Sequence, residues 1–283
     1  MIPAPGIFIV GAQKAGTTTL TAHLAASPAV VGTHPSLECT YYASPEEYAE
    51  GGNAAAERYF PTCGASECDH VHLAKNVDVL PDTDSHRRLY RDAPDVQLVA
   101  VLRNPVDRAY SAYLWARAVG LEHSPDFAAA LERHGTTTVD GWPTHGKYLL
   151  NGLYYHQLKA LERTFPSSHI HVVFFDDLVT GTAACLGRLF RSLDLPPGEI
   201  DTSIVGKPAR DVRSVRLASL MYHPNPNPSR LRDYLWQLNR RSAAPSPLPL
   251  AERERLQDYY EGPDAALASY LGRMPPWRLA ASY

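Results

Sequence analysis

The stretch IFIVGAQKAGTTTLTAHL, residues 7–24, decides the reading of the whole chain. Four apolar residues, three of them β-branched, run into a glycine turn, and a helical pattern opens on threonines beyond it. Gly11 and Gly16 keep the glycine spacing of G-x-x-x-x-G-K-S/T, the loop that cradles nucleotide triphosphates between a strand and a helix. Here, however, Thr17 follows Gly16 directly, and the lysine is Lys14, inside the loop.

That displacement carries chemistry. Backbone N–H groups at a helix N-terminus converge on an anion, and the helix dipole adds to the attraction. Thr17, Thr18 and Thr19 place hydroxyls where they cap the helix or meet phosphate oxygens. A triphosphate needs cationic help at its β and γ groups. A 5′-phosphate bearing one further transferable group needs its charge nearer the bridging oxygen, which suits Lys14. A plain strand–helix turn would need the glycines but neither the lysine nor the hydroxyls.

A second stretch, LVAVLRNPVDRAYSAYLW (residues 98–115), repeats the strand-to-helix form. Arg103 ends the apolar run, Pro105 starts a helix, and Ser111 lies eight residues past the arginine. Open α/β sheets place ligands at strand ends. A guanidinium there offers a donor fork suited to phosphate. Asp107 and Arg108 read as a surface pair on the helix that follows.

Further apolar runs at residues 71–73, 96–102 and 170–175 join residues 7–10 as expected buried parallel strands. Helical patterns cover residues 17–26, 106–118, 152–165 and 182–193. In the third, Leu153, His156, Gln157, Ala160, Leu161 and Thr164 form the expected stripe. Later segments predict a short helix at 231–241 and one or two helices over 251–271, with proline-rich loops at 223–230 and 242–250. Strands alternating with helices predict an α/β fold: a P-loop-containing, three-layer arrangement with a central parallel sheet flanked by helices. With 283 residues and no evident boundary or repeat, the expectation is a single domain over residues 1–283.

The bulk numbers exclude some classes. A net charge of -3 argues against a general nucleic-acid binder, which carries a basic excess. No apolar run approaches the ~20 residues of a membrane span. The apolar IFIV passes straight into the glycine loop with no basic leader, so the expected location is the cytoplasm. The four cysteines, Cys39, Cys63, Cys68 and Cys185, are expected as free thiols. Cys63, Cys68, His70 and His72 cluster in CGASECDHVH, but the spacing matches no common zinc pattern. It reads as a surface loop leading into a strand, and no metal is expected.

GAQKAGTTTL resembles the 5′-phosphosulfate loop of sulfotransferases that use 3′-phosphoadenosine 5′-phosphosulfate (PAPS), in the branch of the heparan sulfate enzymes and their bacterial relatives. The resemblance implies that Gln13, Lys14, Ala15, Gly16, Thr17 and Thr18 bind the cofactor's 5′ end. It implies that Arg103 and Ser111 bind its 3′-phosphate. Arg210 and Arg213, in VGKPARDVRS, lie where the family has a basic loop near that phosphate. Similarity continues through NGLYYHQLKALERTFP, through the strand and helix of residues 170–195, and through LQDYYEGPDAALASYLGRMPPW.

SLECTYYA resembles the family pattern K-E-x-x-F/Y-F/Y, which makes Glu38 the implied base, with Leu37 in place of the lysine. HLAKNV resembles E-K-S/T, which makes Lys75 an implied aid at the sulfuryl group, with Ala74 and Asn76 as departures. His34 and His123 are fallback bases. The expected activity is PAPS-dependent sulfuryl transfer to a hydroxyl or amine of a small-molecule, glycolipid or carbohydrate-like acceptor. PAPS is the co-substrate and adenosine 3′,5′-bisphosphate (PAP) the product. Tyr41, Tyr42, Trp115, Trp142 and Tyr148 are candidates to line the acceptor site or to fill the core. The competing readings are a P-loop nucleotide kinase or NTPase, and an inactive nucleotide-binding protein.

Overall fold

The computed structural model describes residues 4–32, 37–59, 70–134, 147–196, 198, 212–221, 230–241 and 246–279. In chain order the elements are β1 (Ile7–Gly11), α1 (Thr17–Ala25), β2 (Val30–Gly32), α2 (Pro45–Glu50), α3 (Gly52–Tyr59), β3 (Val71–Lys75), α4 (Thr83–Asp92), β4 (Gln97–Leu102), α5 (Pro105–Ala118) and α6 (Phe127–His134). There follow α7 (Tyr154–Glu162), β5 (Ile170–Phe174), α8 (Phe175–Thr180), α9 (Thr182–Ser192), α10 (Val215–Met221), α11 (Arg230–Asn239), α12 (Leu250–Leu271) and α13 (Pro276–Leu279).

The five strands form one parallel sheet in the order β2-β3-β1-β4-β5. Every residue of β1 is buried, and so is all of β4 after Gln97. A strand buried on both pleat faces must be covered by helices on both sides, which is why these segments read as unbroken apolar runs. The outer strands β2 and β5 stay partly exposed. From β1 the chain runs out to β2, returns beside β1 as β3, then crosses to β4 on the other side. That reversal makes the carboxyl end of β1 a switch point, where an open α/β sheet presents its ligand crevice.

The chain divides into two compact units. The first comprises Met1–Arg103, Tyr154–Gly206 and Asp264–Tyr283, and contains the whole sheet. Its core joins Phe8, Val10, Leu20 and Leu24 to Leu73, Leu98, Phe174 and Trp277. The helix α7 buries Tyr154, Gln157, Leu158 and Leu161, a stripe one register away from that expected, so His156 faces solvent. The helix also starts later than predicted, because residues 150–152 make a 3-10 turn. Phe175 opens α8 instead of ending β5.

The second unit comprises Asn104–Leu153 and Lys207–Pro263. Val106, Ala109, Tyr113, Phe127, Tyr148 and Tyr260 form its core. Here Arg108 is 0% exposed rather than on the surface. Its Nη2 donates to the Tyr148 carbonyl, to which Tyr260 also donates at 3.3 Å. The Arg108 Nε and Nη1 find no hydrogen-bond partner among the described residues, so this carbonyl bond offsets only part of the cost of burying the charge. Asp107 pairs instead with Arg253, at 3.1 Å.

Candidate active site

The loop between β1 and α1 leads into a helix start that is open to an anion. Gly16, the N-cap of α1, has φ 89, and no side chain caps the helix. The first turn of α1 also carries no acidic residue. By contrast α2 and α4 begin with Ser44 and Asp82 caps and acidic first turns. The positive end of the α1 dipole is therefore left for an external anion. Lys14 has φ 65, a left-handed conformation costing about 1–2 kcal/mol in a non-glycine residue. Ala12 N–H donates to Val101 O at 2.8 Å and ties the loop to the end of β4.

Arg103 reaches the same loop. Its Nη1 donates to the Lys14 carbonyl at 3.2 Å, and its guanidinium lies 4.8 Å from the Phe175 ring centroid. Tyr154 Oη donates to the Arg103 carbonyl at 2.8 Å. Burial lowers the Lys14 pKa below the ordinary lysine value, and the Arg103 charge lowers it further. Both pressures disfavour the ammonium, and the attraction of an anion beside it would oppose them.

Phe175 is a participant that the sequence reading missed. A Cβ on Gly16 would sit 2.9 Å from Phe175 Cδ2. Gly16 thus serves twice, as a left-handed cap and as room for the ring that stacks on Arg103. No local pattern signals this, since the contact joins residues 16 and 175. Gly16→Ala is expected to destabilise the protein by about 1–3 kcal/mol, seen as a lower urea midpoint. Phe175→Ala in the same chain should recover the steric part. An unchanged midpoint in the single variant would show that the loop yields freely.

Beside β1, parallel pairing sets Lys75 against Ile9 and brings it to the loop's edge of the sheet. Lys75 is 1% exposed and donates to Glu38 Oε1 at 2.6 Å, while Val77 N–H donates to Glu38 Oε2 at 3.1 Å. The Glu38 side chain keeps 35% exposure, so a substrate can reach it. Burial raises the Glu38 pKa above the ordinary carboxylate value; Lys75 and the Val77 amide oppose this, and Asp78 adds to it.

Ala74 is buried in the strand, and alternation sends it to the face opposite Lys75, away from Glu38. Leu37 stands exposed next to Glu38. Tyr41 and Tyr42 are core residues, packed edge to face 4.9 Å apart. Tyr148 is likewise core, in the second unit, where its hydroxyl donates to Glu122 at 2.9 Å.

Gln13 and Ala15 are buried in the loop, Thr17 is buried at the start of α1, and Thr18 is exposed. Ser111 is half-buried on α5, in the second unit. Arg213, also in the second unit, is exposed, and its N–H donates to Asn239 O at 2.7 Å. Arg210, His34, Trp142, Cys63 and Cys68 lie outside the described residues. His123 is exposed, Trp115 is half-buried, and Cys39 and Cys185 are buried free thiols. Among the described residues no cluster of three or more metal-ligating side chains occurs, and no helix is long and apolar enough to cross a membrane.

The sulfotransferase domain family matches residues 4–207. The chain is similar to human heparan sulfate glucosamine 3-O-sulfotransferase 6, 31% identical over 189 residues, which cover 65% of this chain and 51% of that protein. It is similar to human bifunctional heparan sulfate N-deacetylase/N-sulfotransferase 2, 28% identical over 199 residues, covering 68% of this chain and 22% of that protein. The chain therefore spans about half the length of the first of these relatives and less of the second. In fold it is similar to a sulfotransferase from Alicyclobacillus acidocaldarius, with a TM-score of 0.73 at 20% identity over 98% of this chain and 100% of that one. It also resembles a mouse sulfotransferase solved with PAP, with a TM-score of 0.50 at 12% identity over 93% and 84% of the two chains. With the family match taking in all five strands, the glycine loop after β1 and the Glu38–Lys75 pair, the chain belongs to the sulfotransferase family.

Proposed function

We propose that this protein transfers the sulfuryl group of PAPS to a hydroxyl or amine of a small-molecule, glycolipid or carbohydrate-like acceptor. The observation that carries the reading is the gathering of charges at one edge of the sheet. An uncapped helix N-terminus, Lys14 and Arg103 meet at the end of β1, and the Glu38–Lys75 pair stands at the end of the neighbouring β3.

These residues fit a nucleotide with a 5′-phosphosulfate. Gly16 makes the left-handed turn at the start of α1, and no side chain caps the loop amides there, which leaves them for an anion. PAPS supplies the activated sulfuryl group. Lys14 holds the negative charge that gathers on the departing phosphate oxygen. Glu38 Oε1 or Oε2 takes the acceptor's proton, and Lys75 keeps that carboxylate ionised and aimed. Arg103 and Ser111 are assigned to the 3′-phosphate on the strength of their motif, and so are Arg210 and Arg213. Transfer of this kind depends on positioning and charge stabilisation more than on covalent help from the protein.

The reading is tested by ligand choice. Adenosine 3′,5′-bisphosphate at 100 times its Kd is expected to raise Tm by roughly 5–10 °C, and ATP at equal concentration by less. A larger shift with ATP, or one requiring Mg2+, would favour a nucleotide kinase. No shift with either would favour a protein that has lost its ligand.

A further inference from the structure

The turn that follows β3 grips two parts of the site at once. Asn76 N–H donates to Ile9 O at 3.0 Å, and Leu80 N–H donates to Val10 O at 2.9 Å. Both acceptors belong to β1, immediately before the phosphate loop. Gly11, the first residue of the loop motif, packs on this turn so closely that a Cβ there would lie 3.0 Å from Leu80 Cβ. On its other side the turn holds the segment that carries Glu38. Asn76 Nδ2 donates to Cys39 O at 3.0 Å, and Cys39 N–H donates to Lys75 O at 2.7 Å. Asn76 Oδ1 accepts from Asp78 N–H at 2.8 Å, which shapes the turn so that the intervening Val77 N–H meets Glu38 Oε2 at 3.1 Å.

Asn76 is 1% exposed, and its side chain is bonded at both ends. Only a side chain with a donor and an acceptor on one rigid amide spans the Cys39 carbonyl and the Asp78 amide together. We infer that Asn76 is a positioning residue for the base, setting Glu38 in register with the phosphate loop. The inference rests on Glu38 as the base of the proposed transfer. Asparagine stands here where the family pattern has a hydroxyl residue.

The groups facing Glu38 are Lys75 from β3, Asp78 from the turn, and the Cys39 thiol from its own segment. The backbone bonds to Ile9 and Val10 survive loss of the Asn76 amide, but the turn's bonds to Cys39 O and Asp78 N–H do not, and the Val77 N–H is expected to draw away from the carboxylate. The ionised form then loses a hydrogen bond, and protonation of Glu38 becomes easier.

The test is a carbon-13 NMR titration of the full chain labelled at glutamate, with the Glu38 signal assigned by its loss in Glu38→Gln. Glu38 in Asn76→Ala is expected to titrate about half a pH unit or more above its wild-type midpoint. Asn76→Ser keeps an acceptor for the Asp78 amide and should shift it less; it also serves if the alanine variant does not fold. In parallel, PAPS hydrolysis, read as sulfate release with water as acceptor, should fall about tenfold in kcat with the PAPS KM within about twofold. Coincident Glu38 titrations in wild type and variants overturn the inference, as does a fall in rate with an unmoved titration. A protein that releases no sulfate while its Glu38 midpoint moves with Asn76 keeps the positioning role and removes the transfer reading instead.

Discussion

Replacing Lys14 by alanine is expected to reduce sulfuryl transfer about a thousandfold, on the order of 4 kcal/mol of transition-state stabilisation. The fold should survive, because what the loop needs from residue 14 is its backbone. The Lys14 carbonyl accepts from Arg103, and alanine presents the same carbonyl at the same left-handed φ. The PAP-induced rise in Tm should therefore be retained in large part while kcat collapses, a split typical of an interaction made in the transition state. A second signature lies in pH. Burial and Arg103 lower the Lys14 pKa, so in the free enzyme the charge is lost as pH rises through a value below that of an ordinary lysine. Wild-type kcat/KM should show that alkaline limb, and the residual activity of Lys14→Ala should lack it. Undiminished turnover of labelled PAPS in the variant would remove Lys14 from the chemistry.

Much of this site was legible in sequence because its parts are local. A strand, a glycine turn and a helix lie within residues 7–24, and a strand end followed by proline marks Arg103. Burial on both faces makes β1, and β4 after Gln97, unbroken apolar runs, so they stand out in the sequence. The parts that were not legible are those fixed across the chain. Phe175 looks like the end of a strand until its ring is seen to occupy the space that Gly16 leaves open. Arg108 sits one residue from Asp107 and reads as its surface partner, yet helical rotation turns it into the core toward the Tyr148 carbonyl. The strand β2 has three residues, too few for a period-2 pattern. The helix α4, TDSHRRLYRD, buries only Ser85, His86 and Leu89, so its polar majority hid a strongly one-sided element. Pro263 lies inside α12 and would ordinarily argue for a break, but the helix continues from Leu250 to Leu271.

Departures from a family pattern carry different weight once placed. Ala74 faces away from Lys75, so a missing carboxylate there leaves the Glu38–Lys75 pair intact. Asn76 builds the turn beneath that pair. Leu37 is different, being exposed next to Glu38 in the chain. Of the three departures, Leu37 is therefore the one whose replacement is expected to change acceptor choice, read as a changed acceptor KM with PAPS KM unchanged.

Glu38→Gln separates a base from a counter-ion. If Glu38 takes the acceptor's proton, kcat should fall by about 10²–10⁴, with PAP affinity within about twofold. The acid limb of the wild-type profile should lie above the usual carboxylate range, since burial raises the Glu38 pKa, and activity is lost as pH falls through it. Lys75→Met should carry that limb higher still, because it removes the charge that favours the carboxylate. The alternative is that Glu38 only neutralises Lys75, a lysine 1% exposed. Leaving such a cation unpaired costs stability, by about 1–3 kcal/mol with a partner still in contact with water. Stability and rate then part company in the double variant. Glu38→Gln with Lys75→Met removes both charges and should regain most of the Tm lost in Glu38→Gln alone. A counter-ion would regain activity with it, whereas a base leaves the double variant as slow as the single one. Full activity in Glu38→Gln with the acid limb in place would move the base to another residue.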